Sequence, residues 1–275
     1  MTKKSNKVLT YLFLIMMSII FAFPFYFLIV SATNTSVDVT SGRMMPGSAI
    51  LDNWKALAER TDLLNAFKNS TIIAFGQTTL ALLIGSMAGY GFEIYRTKTT
   101  DFIFNFLLTS MMIPFAAIII PLFQLFGVFS SVTPSIGINS YVSAFLPYIS
   151  TAFLIFFFRQ NTKMFSRELL EAGRIDGLSE FGLFLRIYMP TMKNSFAAAA
   201  IITFMNSWNN YLWPLVTLLS PDKQTVPLLL SNLGSSYAPD YGMMMLAILI
   251  SMVPTLVIFF MLQKYFVAGM LGSVK

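Results

Sequence analysis

Neither cysteine nor histidine occurs in this 275-residue sequence, and only 11% of its residues are charged. The first two absences together remove disulfides, thiolate nucleophiles, imidazole bases and the common zinc ligand sets. No catalytic residue and no metal site are expected. A GxxxxGK(S/T) phosphate loop is missing too, so the chain has no recognisable means of binding ATP itself. The scarcity of charge excludes an ordinary water-soluble domain, in which charged residues average about 25%. No internal repeat or low-complexity segment is found.

What is abundant is apolar: 56% of the residues are hydrophobic. They gather in runs near or above the ~20 residues that cross a bilayer as a helix. Six spans are predicted, at 8–32, 71–92, 102–129, 141–158, 196–219 and 242–263. The first is too long for a signal-peptide core of ~7–15 apolar residues and reads as an uncleaved anchor. Pro114 and Pro121 are expected to kink the third, with Pro214 near the outer end of the fifth and Pro254 inside the sixth. With an internal N-terminus, the outer segments hold only Arg43, Lys55, Arg60, Lys68 and Lys223 of the 18 Lys and Arg. Inner segments then carry Lys3, Lys4, Lys7 and the other ten, the bias that marks the cytoplasmic side. The formal charge of +6 therefore records topology, and no nucleic-acid partner is expected. The reading is a single all-α polytopic membrane domain over 1–275 with both termini inside. It has an extracytoplasmic loop at 33–70 and a cytoplasmic loop at 159–195. Asp52 is a candidate N-cap for a helical piece within the outer loop.

The cytoplasmic loop concentrates charge. From Glu168 it reads "ELLEAGRIDGLSEFGLFLRIYMP", with Glu168, Glu171, Asp176 and Glu180 set among Arg167, Arg174 and Arg186. The Asp176–Gly177 pair predicts a break between two short helices, with Ser179 capping the second. Leu169, Ala172 and Gly173 are expected to share one side of the first helix, and Arg167, Glu171 and Arg174 another. Such an element suits an apolar knob with a charged rim offered to a cytoplasmic partner. An amphipathic loop lying on the inner membrane surface is the other reading.

This stretch resembles the EAA loop of bacterial ABC-transporter permease subunits. The matching residues are Glu171, Ala172, Gly173, Gly177, Ile187 and Pro190, with Gly173 and Met189 standing where the pattern has Ala and Leu. "RIDG" at 174–177, with Asp176, is similar to the form in carbohydrate-uptake permeases. "MMIPFAAIIIPLFQLF" at 111–126, "FMNSWNNYLWPL" at 204–215 and "QKYFVAGMLGSVK" at 263–275 resemble the smaller, six-span partner of maltose-type permease pairs. The resemblance implies a type I ABC importer fold in a bacterial cytoplasmic membrane, multi-pass in the lipid bilayer. It implies a second permease subunit as heterodimer partner, two ATP-binding subunits carrying ATP and Mg, and an extracytoplasmic solute-binding protein delivering a carbohydrate substrate. The loop would then couple ATPase closure to the spans.

Amides and aromatics in the fifth span, Asn206, Asn209 and Asn210 with Trp208 and Tyr211, are the candidate substrate path. Amides bond hydroxyls, and aromatic faces pack on sugar C–H faces. Interhelical hydrogen bonds and an interfacial aromatic belt are the structural reading of the same residues. Ala81, Gly85 and Gly89 at four-residue spacing predict close helix packing, and Glu93 and Arg96 read as boundary charges. A secondary carrier would need intramembrane carboxylates, and no predicted span has one well inside.

Overall fold

The computed structural model describes residues 2–272, with side chains for 7–265. Lys3 and Lys4, used above for orientation, and most of the 263–275 motif have side chains outside those bounds. Among the described residues every regular element is a helix. Lys7–Ala32, Leu63–Ile94, Phe115–Val132 and Tyr241–Tyr265 are each long and apolar enough to cross a membrane. Tyr141–Tyr148 and Ala152–Thr162 make a fifth span if their 48° bend is taken as one path.

Proline accounts for part of the departure from six plain helices. The third predicted span is two helices, Lys98–Thr109 and Phe115–Val132, separated by the tight turn Ser110–Met112. Pro114 forces Ile113 into extended backbone at ψ 115°, as a residue before proline is driven to do. Pro121 stays inside the second helix. The fifth predicted span arrives as Lys193–Trp208 and Leu212–Thr217, each below bilayer length. Asn209 ends the first piece, its amide donating to the Met205 carbonyl at 2.8 Å.

The second span starts earlier than expected. Leu63–Ile94 has 32 residues and no proline, about 48 Å at 1.5 Å per residue, well past a ~30 Å hydrocarbon core. The helix before it, Ile50–Arg60, has Ala49 at its N-cap with no side-chain bond, so Asp52 is not the cap. It lies in the first turn, where its charge faces the positive end of the helix dipole.

The chain forms two compact units. One runs through Leu63 and takes in Leu229–Val253. Its core is Ala32, Leu57, Met243, Leu246 and Ala247. The buried Asn53 amide ties it by donating to the carbonyls of Ala32 and Asn34 at 3.0 and 2.9 Å. In the same unit Asp240 caps the helix after the "YAPDY" loop, whose Tyr237 is fully exposed.

The other unit comprises Leu64–Leu228 and the segment from Pro254. Here Leu63–Ile94 packs against Ala152–Thr162 at very short range. A Cβ on Gly89 would stand 2.6 Å from Phe158 Cβ and 2.7 Å from the Arg159 nitrogen. The small-residue stripe is thus a packing face. Gln77 on the same helix accepts from the Ser207 hydroxyl at 2.8 Å, joining it to Lys193–Trp208.

Candidate functional site

The charged stretch folds as helix Glu168–Ile175, a turn, helix Glu180–Leu183, a π-helical turn Phe184–Tyr188 and a last turn Met189–Thr191. The first helix closes on Gly177, which sits at φ +80°. Leu178 N–H donates to the Gly173 carbonyl at 2.9 Å and Gly177 N–H to that of Arg174 at 3.0 Å. This paired closure needs a left-handed residue, which costs an L side chain about 1–2 kcal/mol. Ser179 restarts the chain as a helix, its Oγ accepting from Gly182 N–H at 3.2 Å.

Beneath the turn lies an aromatic floor of Tyr90, Phe165, Phe184 and Tyr188, filled in by Leu170, Leu183 and Met192. Burial of each large side chain contributes about 1.5–3 kcal/mol. Tyr188 is fully buried, with its ring 4.8 Å from that of Tyr90 and its hydroxyl 2.6 Å from Thr162 Oγ1. Burial pushes that hydroxyl's pKa up to about 12.

The helix faces differ from the expected stripe. Leu170 and Gly173 point inward, while Leu169 and Ala172 are exposed. Contact with the second half of the loop decides this: a Cβ on Gly173 would lie 2.5 Å from Ile187 Cδ1 and from Leu183 Cδ2. Gly173 and Ile187, fourteen positions apart in the pattern, therefore meet in the folded loop. Glu171, Ala172, Asp176, Gly177 and Pro190 lie on its exposed surface. Between the charges stand two bare apolar side chains, Ile175 at 87% and Phe181 at 58% exposure.

Two sets of polar contacts hold the knob in place. At the turn, Arg174 donates to Glu180 through Nε at 2.8 Å and Nη2 at 3.1 Å, and the Tyr95 hydroxyl donates to the same carboxylate. The Arg174 guanidinium, with help from Tyr95, holds the Glu180 carboxyl below its ordinary value. Burial and then the Glu180 bond push the Tyr95 hydroxyl up. At the base, Arg167 Nη2 reaches the Glu93 carbonyl at 3.1 Å. The Glu93 carboxylate meets buried Arg159 at 3.3 Å, and Arg159 also pairs with Asp101 and lies 4.0 Å over the Phe104 ring.

Glu93 is thus a buried ion-pair member and not a boundary charge. Sequence reasoning missed Tyr95, Arg159 and Asp101 altogether. Opposite charges beside the ends of neighbouring apolar runs were the available signal.

The candidate path residues are differently placed. Trp208 is buried, stacked on Phe204 at 5.8 Å and edge-on to Phe67 at 5.6 Å. Asn210 is half-buried, whereas Asn206, Asn209 and Tyr211 are exposed.

Comparison with known proteins gives one family, three relatives and one solved structure. Residues 81–272 match the family model described as binding-protein-dependent transport system inner membrane component. The lactose transport system permease protein LacG of Rhizobium radiobacter is 43% identical, covering 92% of this chain and 90% of that protein. The arabinooligosaccharide permease AraQ of Bacillus subtilis is 35% identical over 96% and 94%, and the sn-glycerol-3-phosphate permease UgpE of Salmonella typhi 29% over 92% and 92%. A chain in the crystal structure of a bacterial ABC transporter involved in importing the acidic polysaccharide alginate superposes with TM-score 0.82. It covers 96% of this chain and 98% of its own at 17% identity, which establishes a shared fold.

Proposed function

This chain belongs to the binding-protein-dependent transport system inner membrane components, and we propose that it is one of two permease subunits of an ABC importer for a sugar or oligosaccharide. The loop carries this reading. Ile175 and Phe181 stand exposed on a rigid, capped turn, a surface that gains by entering an apolar cleft of another protein. Glu168, Glu171 and Asp176 around them set the orientation of docking more than its strength. The partner would be one of two ATP-binding subunits, which supply the ATP and Mg that this chain has no loop to hold.

In the proposed cycle, ATP-driven closure of those subunits moves the knob. Arg167 and Tyr95 pass the motion to the ends of the helices beside Glu93. The pathway then opens outward, and solute enters from an extracytoplasmic binding protein docked on the outer loops. Hydrolysis returns it to the inward-facing state. The cytoplasmic membrane is the setting, with Lys and Arg marking the inner side. Asn206, Asn209, Asn210, Trp208 and Tyr211 remain the proposed path, with the exposed amides of Asn206 and Asn209 as the groups placed to meet hydroxyls.

The sugar assignment rests on the lactose and arabinooligosaccharide relatives. A different polar solute is the second reading, favoured by the glycerol-3-phosphate relative. The test is purification of the chain from solubilised membrane, wild type against Gly177→Asp, followed by uptake of labelled lactose, arabinooligosaccharide and glycerol-3-phosphate. Co-purification of an ATPase and a second permease, with the ATPase alone lost in the variant, supports the assembly. A chain that purifies by itself overturns it. Uptake of glycerol-3-phosphate alone overturns the sugar.

A further inference from the structure

A second polar feature lies beside the coupling base, on the face where Lys98–Thr109 packs against Ala152–Thr162. The two helices enclose a cavity of about 280 Å³, just under the ~300 Å³ at which small-molecule sites begin. Its lining changes along its length. Arg96, Arg159 and Lys163 stand at the end that the Lys and Arg bias assigns to the cytoplasm. Asn105 comes one turn deeper on the first helix, the Gln160 amide lies between Arg159 and Lys163 on the second, and below them are the apolar Leu108 and Phe156.

Charge at the mouth is not balanced within the protein. Asp101, the one carboxylate in the lining, is spent on Arg96 at 3.0 Å and on Arg159. Arg159 is also neutralised from behind by Glu93. Lys163 is exposed and has no carboxylate within ion-pair distance among the described residues. The cavity therefore presents one spare positive charge, hydrogen-bond donors beneath it, and an apolar floor toward the bilayer. Exposed Phe102 and Phe106 continue that apolar surface along the outside of the same helix.

We propose that this cavity is a binding site for an anionic phospholipid, with its phosphate at Lys163 and Arg96, its ester oxygens on Asn105 and Gln160, and an acyl chain running over Leu108 and Phe156. A basic recess between helices on the cytoplasmic side suits an anionic headgroup, each cation near the surface adding about a fivefold gain in affinity. Free phosphate shares the headgroup chemistry but has no use for the amide step or the apolar floor. The proposal requires the membrane setting but neither the sugar nor the ATPase partner. Its failure and theirs are therefore separable.

The test uses the full-length chain purified in detergent with its accompanying subunits. Thermal midpoint is followed while phosphatidylglycerol, phosphatidylcholine or inorganic phosphate is added. Phosphatidylglycerol is expected to raise the midpoint and the other two to leave it unchanged. Lys163→Gln and Arg96→Gln should each weaken the apparent phosphatidylglycerol affinity about fivefold. Lys163→Arg, which keeps the charge, should bind like wild type, and midpoints in phosphatidylcholine report whether each variant is folded. Equal shifts with both lipids overturn the proposal, as does wild-type affinity in both Gln variants. A shift with inorganic phosphate matching that of phosphatidylglycerol also overturns it, in favour of a soluble anion.

Discussion

Arg174 and Glu180 close a two-bond bridge over the Gly177 turn, at 2.8 and 3.1 Å, with the Tyr95 hydroxyl on the same carboxylate. The bridge does more than join two short helices. Because Tyr95 directly follows the Leu63–Ile94 helix, the tip of the knob is attached to a span as well as to its own loop. Neither short helix could hold its position from local propensity alone, since isolated helices of this length are marginal in water.

Gly177→Ala should destabilise the turn by about 1–2 kcal/mol through backbone strain, because an added Cβ meets nothing within 4 Å. Gly42 in the other unit has a similar φ of +76° and equally open space, so Gly42→Ala imposes comparable strain elsewhere. The expected outcome is loss of co-purifying ATPase in the Gly177 variant and its retention in the Gly42 variant. Equal behaviour of the two would remove any special role for the turn.

Acid should release the bridge. Glu180 is held below its ordinary value of 4.5, so its contribution is fully present above that pH and is lost as pH falls through the depressed value. The absence of native cysteine permits a single spin label at Asp176→Cys, whose mobility should rise on acidification below about pH 4.5. Glu180→Gln should show high mobility at every pH. A flat profile in the Glu180 protein would detach the bridge from turn rigidity.

Ile175→Ser removes the most exposed apolar side chain of the loop without touching its floor. Stability of the purified chain should change by no more than about 0.5 kcal/mol, as for surface substitutions generally. ATPase association should fall at least tenfold, measured by titrating the ATPase against labelled permease. Unchanged association would place the docking surface elsewhere.

The Glu93–Arg159 pair is buried on both sides, with side-chain exposures of 9% and 6%. Arg159→Met leaves Glu93 buried beside Arg167 alone and should cost about 3–5 kcal/mol. The double variant Glu93→Gln/Arg159→Met should cost less than the sum of the singles, because it removes the orphaned charge. Additive thermal shifts would show that the two side chains do not act as a pair.

These cases mark what was legible in the sequence. Gly177 and Ser179 could be placed because turn and cap chemistry acts within four residues. The close approach at Gly89 was likewise visible as spacing on one helix. The Glu93–Arg159 pair was not, since its partners are 66 positions apart and meet only when two helices pack. The inward face of Glu168–Ile175 was misjudged for the same reason. Its orientation is set by Leu183 and Ile187, so periodicity over eight residues could not separate Leu170 from Leu169. The break at 209–211 was hidden by the apolar runs on either side of it, although Asn209, Asn210 and Tyr211 stood there together.

The Leu63–Ile94 helix has a mechanical consequence. At its N-terminal end the Asn69 amide grips the carbonyls of Asp222 and Gln224 at 2.9 and 2.8 Å, and Asn65 takes Asp222 as well. At its C-terminal end stand Glu93 and, just past the helix, Tyr95, both fastened to the knob. No proline interrupts the helix between them. It is a strut clamped at both ends. A pull on the knob is therefore carried along a rod without an internal hinge, past the close contact at Gly89, to the carbonyls of Asp222 and Gln224.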